Sequence, residues 1–436
     1  MSATAVERPL LRLRAFRNLF VAAAVSQFGS QITYVALPLL AVTVLGAGAG
    51  EVGLLASLGT LTVLIVGLPA GVWVDRVRRL PLMIVTDLAR AAALLSIPLA
   101  WWGGWLSMGQ LYVVAVLVGA GSLLFDVACL SLVPGLVGRT RLTSANSLLV
   151  GTGAGMDVAG RSAAGLLVHT AGAPLAILLD ALSYVWSAAW LRRVPEHPDA
   201  TVPGVAGALR DGEEAGGVAR APRHGARAIG GVRAEGMGRQ VSEGVRFLVG
   251  NPVLMAALIQ GAMANLAFPL CSVLLPVLIV GGLGHPEWVL GAYLAGGGLG
   301  VLAGSSAAHA LARRFGTGRA AWLVSLATAP AALAIPFLGH GPWLWLAAAA
   351  WFVLMFRTGV NNVLLVSLRQ RVTPDEMLGR MTATVRLLLM GATGAGGLLA
   401  ALLGELWGVR AALWAGALIM ALSWIPFLRS PLRTHP

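Results

Sequence analysis

The sequence consists of long apolar stretches separated by short polar segments. A helix needs about 20 mostly apolar residues to cross the hydrocarbon core of a bilayer, and each stretch meets that requirement. The sequence therefore predicts an all-α membrane protein. Twelve transmembrane helices are predicted, at residues 17–45, 51–75, 80–104, 108–136, 141–170, 173–192, 251–281, 287–313, 319–339, 342–370, 376–405 and 407–429.

Arginine lies almost entirely on one side of this arrangement. All 31 basic residues are Arg. Nearly all of them fall in the termini and in the inter-helix segments that share a side with the termini, whereas Arg410 lies in an opposite-side loop. Positive charge is retained on the cytoplasmic side of a membrane. We therefore expect a multi-pass protein of the cell membrane with both termini in the cytoplasm.

Composition supports a membrane protein and indicates its partners. The chain is 57% hydrophobic and 11% charged, with a mean hydropathy of +0.81. A net charge of +13 is compatible with a nucleic-acid partner. Here the charge is spread over short loops, where anionic lipid headgroups are the expected partner. We expect the lipid bilayer and a small molecule as partners, and no nucleic acid. We also expect the protein to be a monomer.

The sequence carries no recognisable enzyme or cofactor motif. Cys129 and Cys271 both lie in apolar stretches, and neither belongs to a metal-binding pattern. Zinc-protease, nucleophile-elbow and acidic metal-binding motifs are missing. A phosphate-binding loop requires Lys, which the chain lacks. The expectation is therefore a membrane protein that is not an enzyme, needs no cofactor or metal, and is not driven by ATP bound to such a loop.

The chain divides into two predicted halves, residues 1–193 and 241–436. Residues 194–240 are rich in Gly, Ala, Pro and charge and are predicted to be a cytoplasmic linker. Residues 239–249 are amphipathic and predict a short helix on the membrane surface. Short basic turns follow both the second and the eighth span. Such internal duplication is typical of secondary transporters, whose substrate site lies between the repeats.

Several motifs resemble those of one transporter family. Residues 71–79 resemble the signature Gly-x-x-x-Asp-Arg-x-Gly-Arg after the second span, with Arg78 replacing the second glycine. With the span arrangement, this resembles the major facilitator superfamily. Further motifs resemble its macrolide-efflux and enterobactin-export branch, at residues 16–20, 26–31, 125–126, 142–146, 179–184, 372–376 and 379–380.

The resemblance implies a fold and a function. The implied fold is two pseudo-symmetric bundles of six helices. The implied function is proton-driven export of a small amphipathic molecule such as a drug, an antibiotic or a siderophore-like metabolite. Import, or transport of a lipid or lysolipid, stays open. Many relatives carry a Gly-Pro-x-x-Gly-Gly pattern associated with antiport in the fifth span, where this chain has Arg161 in place of Pro.

The resemblance also implies a conformational latch. Asp75 of the second loop would contact the cytoplasmic start of span eleven, where Thr373 and Pro374 are typical of a helix N-terminus. A carboxylate there is favoured by the helix dipole. Ordinary topological charges are the alternative. The implied latch residues are Gly71, Asp75, Arg76, Arg79, Asp375 and Arg380.

Ionisable residues inside the spans are candidates for proton coupling, because each costs about 3 kcal/mol at mid-bilayer. Arg90 and Asp126 have similar predicted depth, so we expect them to pair. Asp157 and Arg161 are four residues apart, the favoured spacing for a helical ion pair. A functional role is open for both pairs. The candidates for proton coupling all lie in the first half and are Asp87, Arg90, Asp126, Asp157, Arg161 and Asp180. The charges inside the spans of the second half are Arg357 and Arg386.

Polar residues predict a central cavity. Arg357 and Arg386 have no acid at depth in their own half, so we expect them to line the cavity and to be offset by Asp157 or Asp180. Snorkelling of Arg386 to the cytoplasm is the alternative. Gln27, Gln31 and Tyr34 share one face of span one. Other cavity candidates are Gln260, Asn265 and Asn361, although such residues also join helices by hydrogen bonds alone.

Overall fold

The computed structural model is almost entirely helical, and no strand occurs among the residues that it describes. The described residues are 10–74, 77–138, 141–194, 243, 245–428 and 430–431. Within these ranges, the backbone but not the side chain is described at residues 68–72, 143, 154, 375–376 and 379.

Twelve long helices follow one another in this part of the chain. Short flanking turns include Leu10–Arg12 before the first helix and Ile425–Leu428 after the last. The long helices are α1 (Arg14–Leu45), α2 (Ala49–Val74), α3 (Arg79–Gly103), α4 (Met108–Val137), α5 (Leu142–Ala171), α6 (Ala173–Leu191), α7 (Pro252–Ser272), α8 (Glu287–Phe315), α9 (Thr317–Ala332), α10 (Pro342–Val372), α11 (Asp375–Trp407) and α12 (Val409–Leu422).

The helices confirm the predicted all-α arrangement of spans. Eleven segments of the described chain are long and apolar enough to cross a membrane. Helix α5 is not among them, although it has 30 residues. Its many glycines, together with Asp157 and Arg161, make it less apolar than the others. The fifth predicted span, 141–170, is thus present as a helix that is more polar than the other eleven.

Two predicted spans are interrupted near their ends. Helix α7 ends at Ser272 and is followed by a π-helical turn, Val277–Gly282. Helix α9 ends at Ala332 and is followed by the 3-10 turn Ile335–Phe337. Proline has no N–H for the helical ladder, and Pro276 and Pro336 lie at these interruptions. Both segments still cover the length that the apolar pattern predicts.

The first six and last six helices form two bundles that meet through two helix pairs, α2 with α11 and α5 with α8. We call the end of the molecule where α1 begins and α12 ends the terminal end, and the other the distal end. At the distal end, a β carbon on Gly53 would lie 2.5 Å from the α carbon of Ala401. Small residues allow such close backbone approach. The halves are therefore in tight contact distally.

The hydrophobic core has the same asymmetry. One large buried cluster at the distal end joins both halves and includes Leu39 and Ile177 from the first half and Leu290 and Leu354 from the second. At the terminal end, buried residues around Met83 belong to the first half alone. Those around Leu364 belong to the second half alone. The halves therefore pack together distally and separate towards the terminal end.

The predicted linker, 194–240, lies outside the described residues except for Val194. Of the predicted amphipathic helix, 239–249, residues 245–249 are helical, whereas 239–242 and 244 are not described. Leu248 of this helix is buried against Met381 and Val385. This segment therefore packs on the start of α11.

Candidate functional site

A cavity of about 610 Å³ lies between the two halves. Helices α1 to α6 of the first half supply most of its wall. The second half contributes mainly apolar residues, such as Phe268 of α7, Pro276 just after α7 and Leu294 of α8, together with Arg386 of α11. Five ionisable side chains that the sequence singled out lie at this wall. They are Arg90, Asp126, Arg161, Asp180 and Arg386.

Helices α1 and α5 are joined by two matched hydrogen bonds. The Gln27 amide donates to Asp157 Oδ1 over 2.8 Å, and Arg161 Nε donates to Gln31 Oε1 over 2.8 Å. The Arg161 guanidinium also lies 4.9 Å from the centre of the Tyr34 ring. The expected Asp157–Arg161 ion pair is therefore wrong, because each charge contacts the glutamine at its own level on α1.

Close packing explains why these bonds form. A β carbon on Gly160 would lie 2.6 Å from Cβ of Gln31 and 2.8 Å from the Phe28 carbonyl oxygen. The missing side chain lets α5 approach α1 closely enough for both charges to reach across. Gln27, Gln31 and Tyr34 all lie at the cavity wall, with Tyr34 exposed.

Arg90 is held in a buried cluster of the first half. Its Nη2 forms an ion pair with Asp87 Oδ1, and both side chains are buried. Its Nη1 donates to Ser122 Oγ over 3.1 Å, and its guanidinium lies 4.1 Å from the centre of the Tyr184 ring. The expected Arg90–Asp126 pair is wrong, because Asp87 lies one turn away on the same helix and reaches Arg90 directly.

Asp126 instead lies between two arginines of different halves. It is exposed at the cavity wall. The positive charges of Arg90 and Arg386 both act on its carboxylate. Arg386 is likewise exposed at the wall. Arg386 was expected to be offset across the interface by Asp157 or Asp180, whereas the structure shows its charge acting on Asp126.

Asp180 is buried beneath the cavity wall and is bonded to hydroxyl groups. Thr33 Oγ1 donates to its Oδ2, and Ser183 Oγ donates to its Oδ1 over 3.1 Å. The neighbouring Ser30 and Tyr184 hydroxyls are 2.8 Å apart. Asp180 forms no ion pair with any described residue. This hydroxyl network links α1 to α6 behind the cavity.

The family follows from a match over most of the chain. The model of the Major Facilitator Superfamily matches residues 19–396. The chain belongs to this superfamily. It is accordingly a multi-pass membrane transporter of the superfamily's fold, and members of the superfamily are in general not enzymes. Among curated protein sequences, none matches the chain.

Solved structures of superfamily transporters share the fold. A bacterial homologue of the iron transporter ferroportin in an inward-facing state has a TM-score of 0.70 and 17% identity, covering 97% of this chain and 100% of its own. The nucleoside transporter NupG has a TM-score of 0.67 and 9% identity, with 95% and 99% covered. A bacterial homologue of the human lysosomal transporter Spinster has a TM-score of 0.64 and 13% identity, with 98% and 97% covered.

The ferroportin homologue is also known in an outward-facing state, which matches this superfamily member less well. That state has a TM-score of 0.58 at 16% identity, covering 95% of this chain and 98% of its own. Both states share the fold of this chain.

Apart from Arg386, the polar candidates of the second half lie away from the described cavity wall of this superfamily member. Arg357 Nη1 donates to the Met420 carbonyl over 3.1 Å and to Ser423 Oγ over 3.0 Å. Its side chain is 1% exposed and does not belong to the described cavity wall, so the expected cavity position of Arg357 is wrong. The guanidinium instead joins α10 to the end of α12.

The remaining second-half candidates also contact helices of their own half. Asn361 Nδ2 donates to Ser325 Oγ over 3.2 Å, and Asn265 Oδ1 accepts from Thr393 Oγ1 over 3.0 Å. Gln260 is buried. None of these three side chains is at the described cavity wall. The expectation that they line the cavity is therefore wrong, and Asn265 and Asn361 join helices instead.

Only some of the implied latch residues are among those that the structure describes. Asp75 and Arg76 lie outside the described residues, as does the side chain of Asp375. Gly71 belongs to α2. Of the described latch candidates, Arg79 Nη1 donates to the Ser131 carbonyl over 3.1 Å, and Arg380 Nη1 pairs with Glu243 Oε2 at 2.7 Å. The latch stays a prediction.

The hydroxyl partners of the buried charges were not predicted from the sequence. Thr33 and Ser183 bond to Asp180, and Ser122 bonds to Arg90. Other hydroxyls in these helices bond to the carbonyl four residues earlier, as Thr43 does with Leu39. A hydroxyl in an apolar span therefore gives no signal of which bond it forms until the helices are packed.

Proposed function

We propose that this protein exports a small amphipathic molecule across the cell membrane by alternating access, driven by proton antiport. The observation that carries the proposal is the central cavity, whose walls combine apolar side chains with five ionisable groups. Its volume of about 610 Å³ falls in the range of about 300–1,000 Å³ that is typical of small-molecule sites.

The orientation rests on the arginine distribution. Arginine is concentrated in segments on the side of the termini, which the positive-inside rule assigns to the cytoplasm. The cavity then opens to the cytoplasm and is ready to load an export substrate. Export requires the distal contacts, among them the 3.1 Å His169–Glu287 contact between α5 and α8, to separate while the terminal end closes.

Asp180 is our candidate for the proton-carrying group. It lies at the cavity wall and has no ion-pair partner among the described residues. A hydroxyl group can donate to an ionised carboxylate and accept from a protonated one. Thr33 and Ser183 can therefore satisfy Asp180 in both protonation states without any rearrangement of helices.

The other charged candidates have different proposed roles. Asp157 and Arg161 fix α5 against α1 through Gln27 and Gln31. Asp87 compensates Arg90. The resemblance of several motifs to macrolide-efflux and enterobactin-export proteins supports a drug, an antibiotic or a siderophore-like metabolite as substrate.

Everted membrane vesicles with an acidified lumen test the proposal. A fluorescent amphipathic probe is added outside, at the face corresponding to the cytoplasm, while a pH dye reports the lumen. We expect probe uptake coupled to proton release from the lumen. Asp180→Asn should abolish proton release, whereas Glu51→Gln, in the first turn of α2 at the distal end, should retain it.

Three outcomes would contradict parts of the proposal. Probe movement unaffected by collapse of the pH gradient would rule out antiport. Transport only from the lumen outwards would support an importer. Selective transport of a lysolipid would support the lipid-transport alternative.

A further inference from the structure

Asp126 and Arg386 differ from the other ionisable residues of the cavity wall. Arg90 is paired with Asp87, Arg161 is bonded to Gln31, and Asp180 is bonded to two hydroxyls. By contrast, neither Asp126 nor Arg386 makes a hydrogen bond or a short ion pair with any described residue. Both are exposed at the wall.

The two side chains lie at the same depth in opposite halves. Asp126 is eleven positions before Val137, the terminal end of α4, and Arg386 is eleven positions after Asp375, the terminal end of α11. At a rise of about 1.5 Å per residue, each lies about 16 Å along its helix from that end. Helix α2 contacts both α4 and α11, so the two residues belong to neighbouring parts of one wall.

Their charges interact across the cavity without direct contact. Arg386 acts electrostatically on the Asp126 carboxylate, but the two groups are not within the 4 Å of an ion pair. An acid and a base held apart at one level present two complementary binding points. The adjacent walls are apolar, with Leu130 near the acid and Phe268 from the second half.

We propose that Asp126 and Arg386 form a charged subsite for a zwitterionic amphipath. A cationic group of the ligand contacts Asp126, an acidic group contacts Arg386, and an apolar body lies against the remaining walls. This proposal rests on the proposed transport function and adds the substrate class. The same chemistry occurs in a free zwitterionic metabolite and in a zwitterionic lipid headgroup.

Binding to the purified protein in detergent tests the subsite independently of transport. The probes are three xanthene dyes of similar size and different charge: zwitterionic rhodamine B, its cationic ethyl ester and anionic fluorescein. Fluorescence polarisation gives their affinities. We expect the zwitterion to bind the wild type about tenfold more tightly than the others, as one charge-assisted contact implies.

The two neutral variants should change selectivity in opposite directions. Asp126→Asn should weaken the cation and spare the anion, whereas Arg386→Gln should weaken the anion and spare the cation, each by about tenfold. Arg410→Gln, at the distal start of α12, is the matched control and should change neither. Equal loss of all three dyes in both variants, or an unchanged charge preference, would overturn the subsite.

Transport and competition complete the test. If the dyes bind with this selectivity but are not moved in vesicles, the transport proposal fails and the subsite stands. If they are moved without any charge preference, the subsite fails and transport stands. Displacement of rhodamine B by lysophosphatidylcholine indicates a lipid headgroup as the ligand, whereas displacement only by a soluble zwitterion indicates a free metabolite.

Discussion

Gly165 of α5 and Gly291 of α8 form a backbone contact between the two halves near the distal end that is as close as the contact of Gly53 with Ala401. A β carbon on Gly165 would lie 2.5 Å from the α carbon of Gly291 and 2.8 Å from its nitrogen. Neither atom can move without displacing a whole helix. The distal closure of the molecule therefore depends on the absence of a side chain at this point.

We expect Gly165→Val to shift the molecule away from the distally closed state. An added side chain costs about 1–3 kcal/mol where packing is tight, and here the cost applies only while the halves touch. Opening distally closes the terminal end. A cysteine introduced by Leu130→Cys, at an exposed position of the cavity wall, reports this change. Its labelling by an impermeant maleimide added at the terminal end should slow about fivefold or more.

The control for this substitution is Gly155→Ala in the same helix. No atom lies within 4 Å of a β carbon at Gly155, so the labelling rate should not change. Both variants are made with Leu130→Cys, Cys129→Ser and Cys271→Ser, so that the introduced cysteine is the single thiol of the chain. An unchanged rate in Gly165→Val would mean that the glycine contact does not determine the conformational state.

Asp87→Asn should lower stability far more than Asp126→Asn does. Asp87 and Arg90 are a buried ion pair, and removing one partner of such a pair costs about 3–5 kcal/mol because the other charge is left uncompensated. Asp126 is exposed, so its neutralisation should cost about 0.5 kcal/mol or less. Thermal unfolding in detergent measures both, and equal losses would contradict the assignment of Asp87 as the partner of Arg90.

The positions of the spans were predictable because a bilayer imposes one strong requirement on helix length and composition. The cavity face of α1 was also predictable, since Gln27, Gln31 and Tyr34 share one side of an otherwise apolar helix. The resemblance of residues 71–79 to the superfamily signature predicted the same fold independently of the apolar pattern. These features depend on single helices and not on how helices rotate against each other.

The partners of the buried charges were not predictable, because they depend on how the helices rotate against each other. Depth along a helix follows from the sequence, but the rotation of a span about its axis does not when all its faces are apolar. Arg90 and Asp126 do have matching depth, yet Arg90 points to Asp87. Arg357 has the depth of a cavity residue, yet it faces α12. Packing between helices decides both cases.

We expect Gln31 and Arg161 to be energetically coupled. Their hydrogen bond of 2.8 Å links α1 to α5, so the effects of Gln31→Ala and Arg161→Ala on unfolding should be non-additive by about 0.5–3 kcal/mol. Gln31→Ala combined with Arg357→Ala, in different halves, should be additive within about 0.5 kcal/mol. Additivity in the first pair would show that the bond is not maintained in the folded protein.

Arg357→Met should retain both stability and transport, whereas Arg357→Ala should be destabilising. The buried guanidinium has no acid within ion-pair distance among the described residues, so its desolvation is compensated only by bonds to Met420 and Ser423. Ser423 Oγ also donates to the Met420 carbonyl over 2.7 Å, and that bond survives the substitution. Methionine fills most of the same space, whereas alanine leaves a cavity that costs about 2–5 kcal/mol.

Thermal unfolding and vesicle transport of the two Arg357 variants separate a packing role from a functional one. A packing role requires transport by Arg357→Met at close to the wild-type rate, because the side chain is 1% exposed and cannot reach a ligand in the cavity. Loss of transport by a stably folded Arg357→Met would instead mean that the charge is needed during the conformational cycle. The same measurement on Arg386→Gln, whose side chain is exposed at the cavity wall, should show altered charge selectivity with stability unchanged.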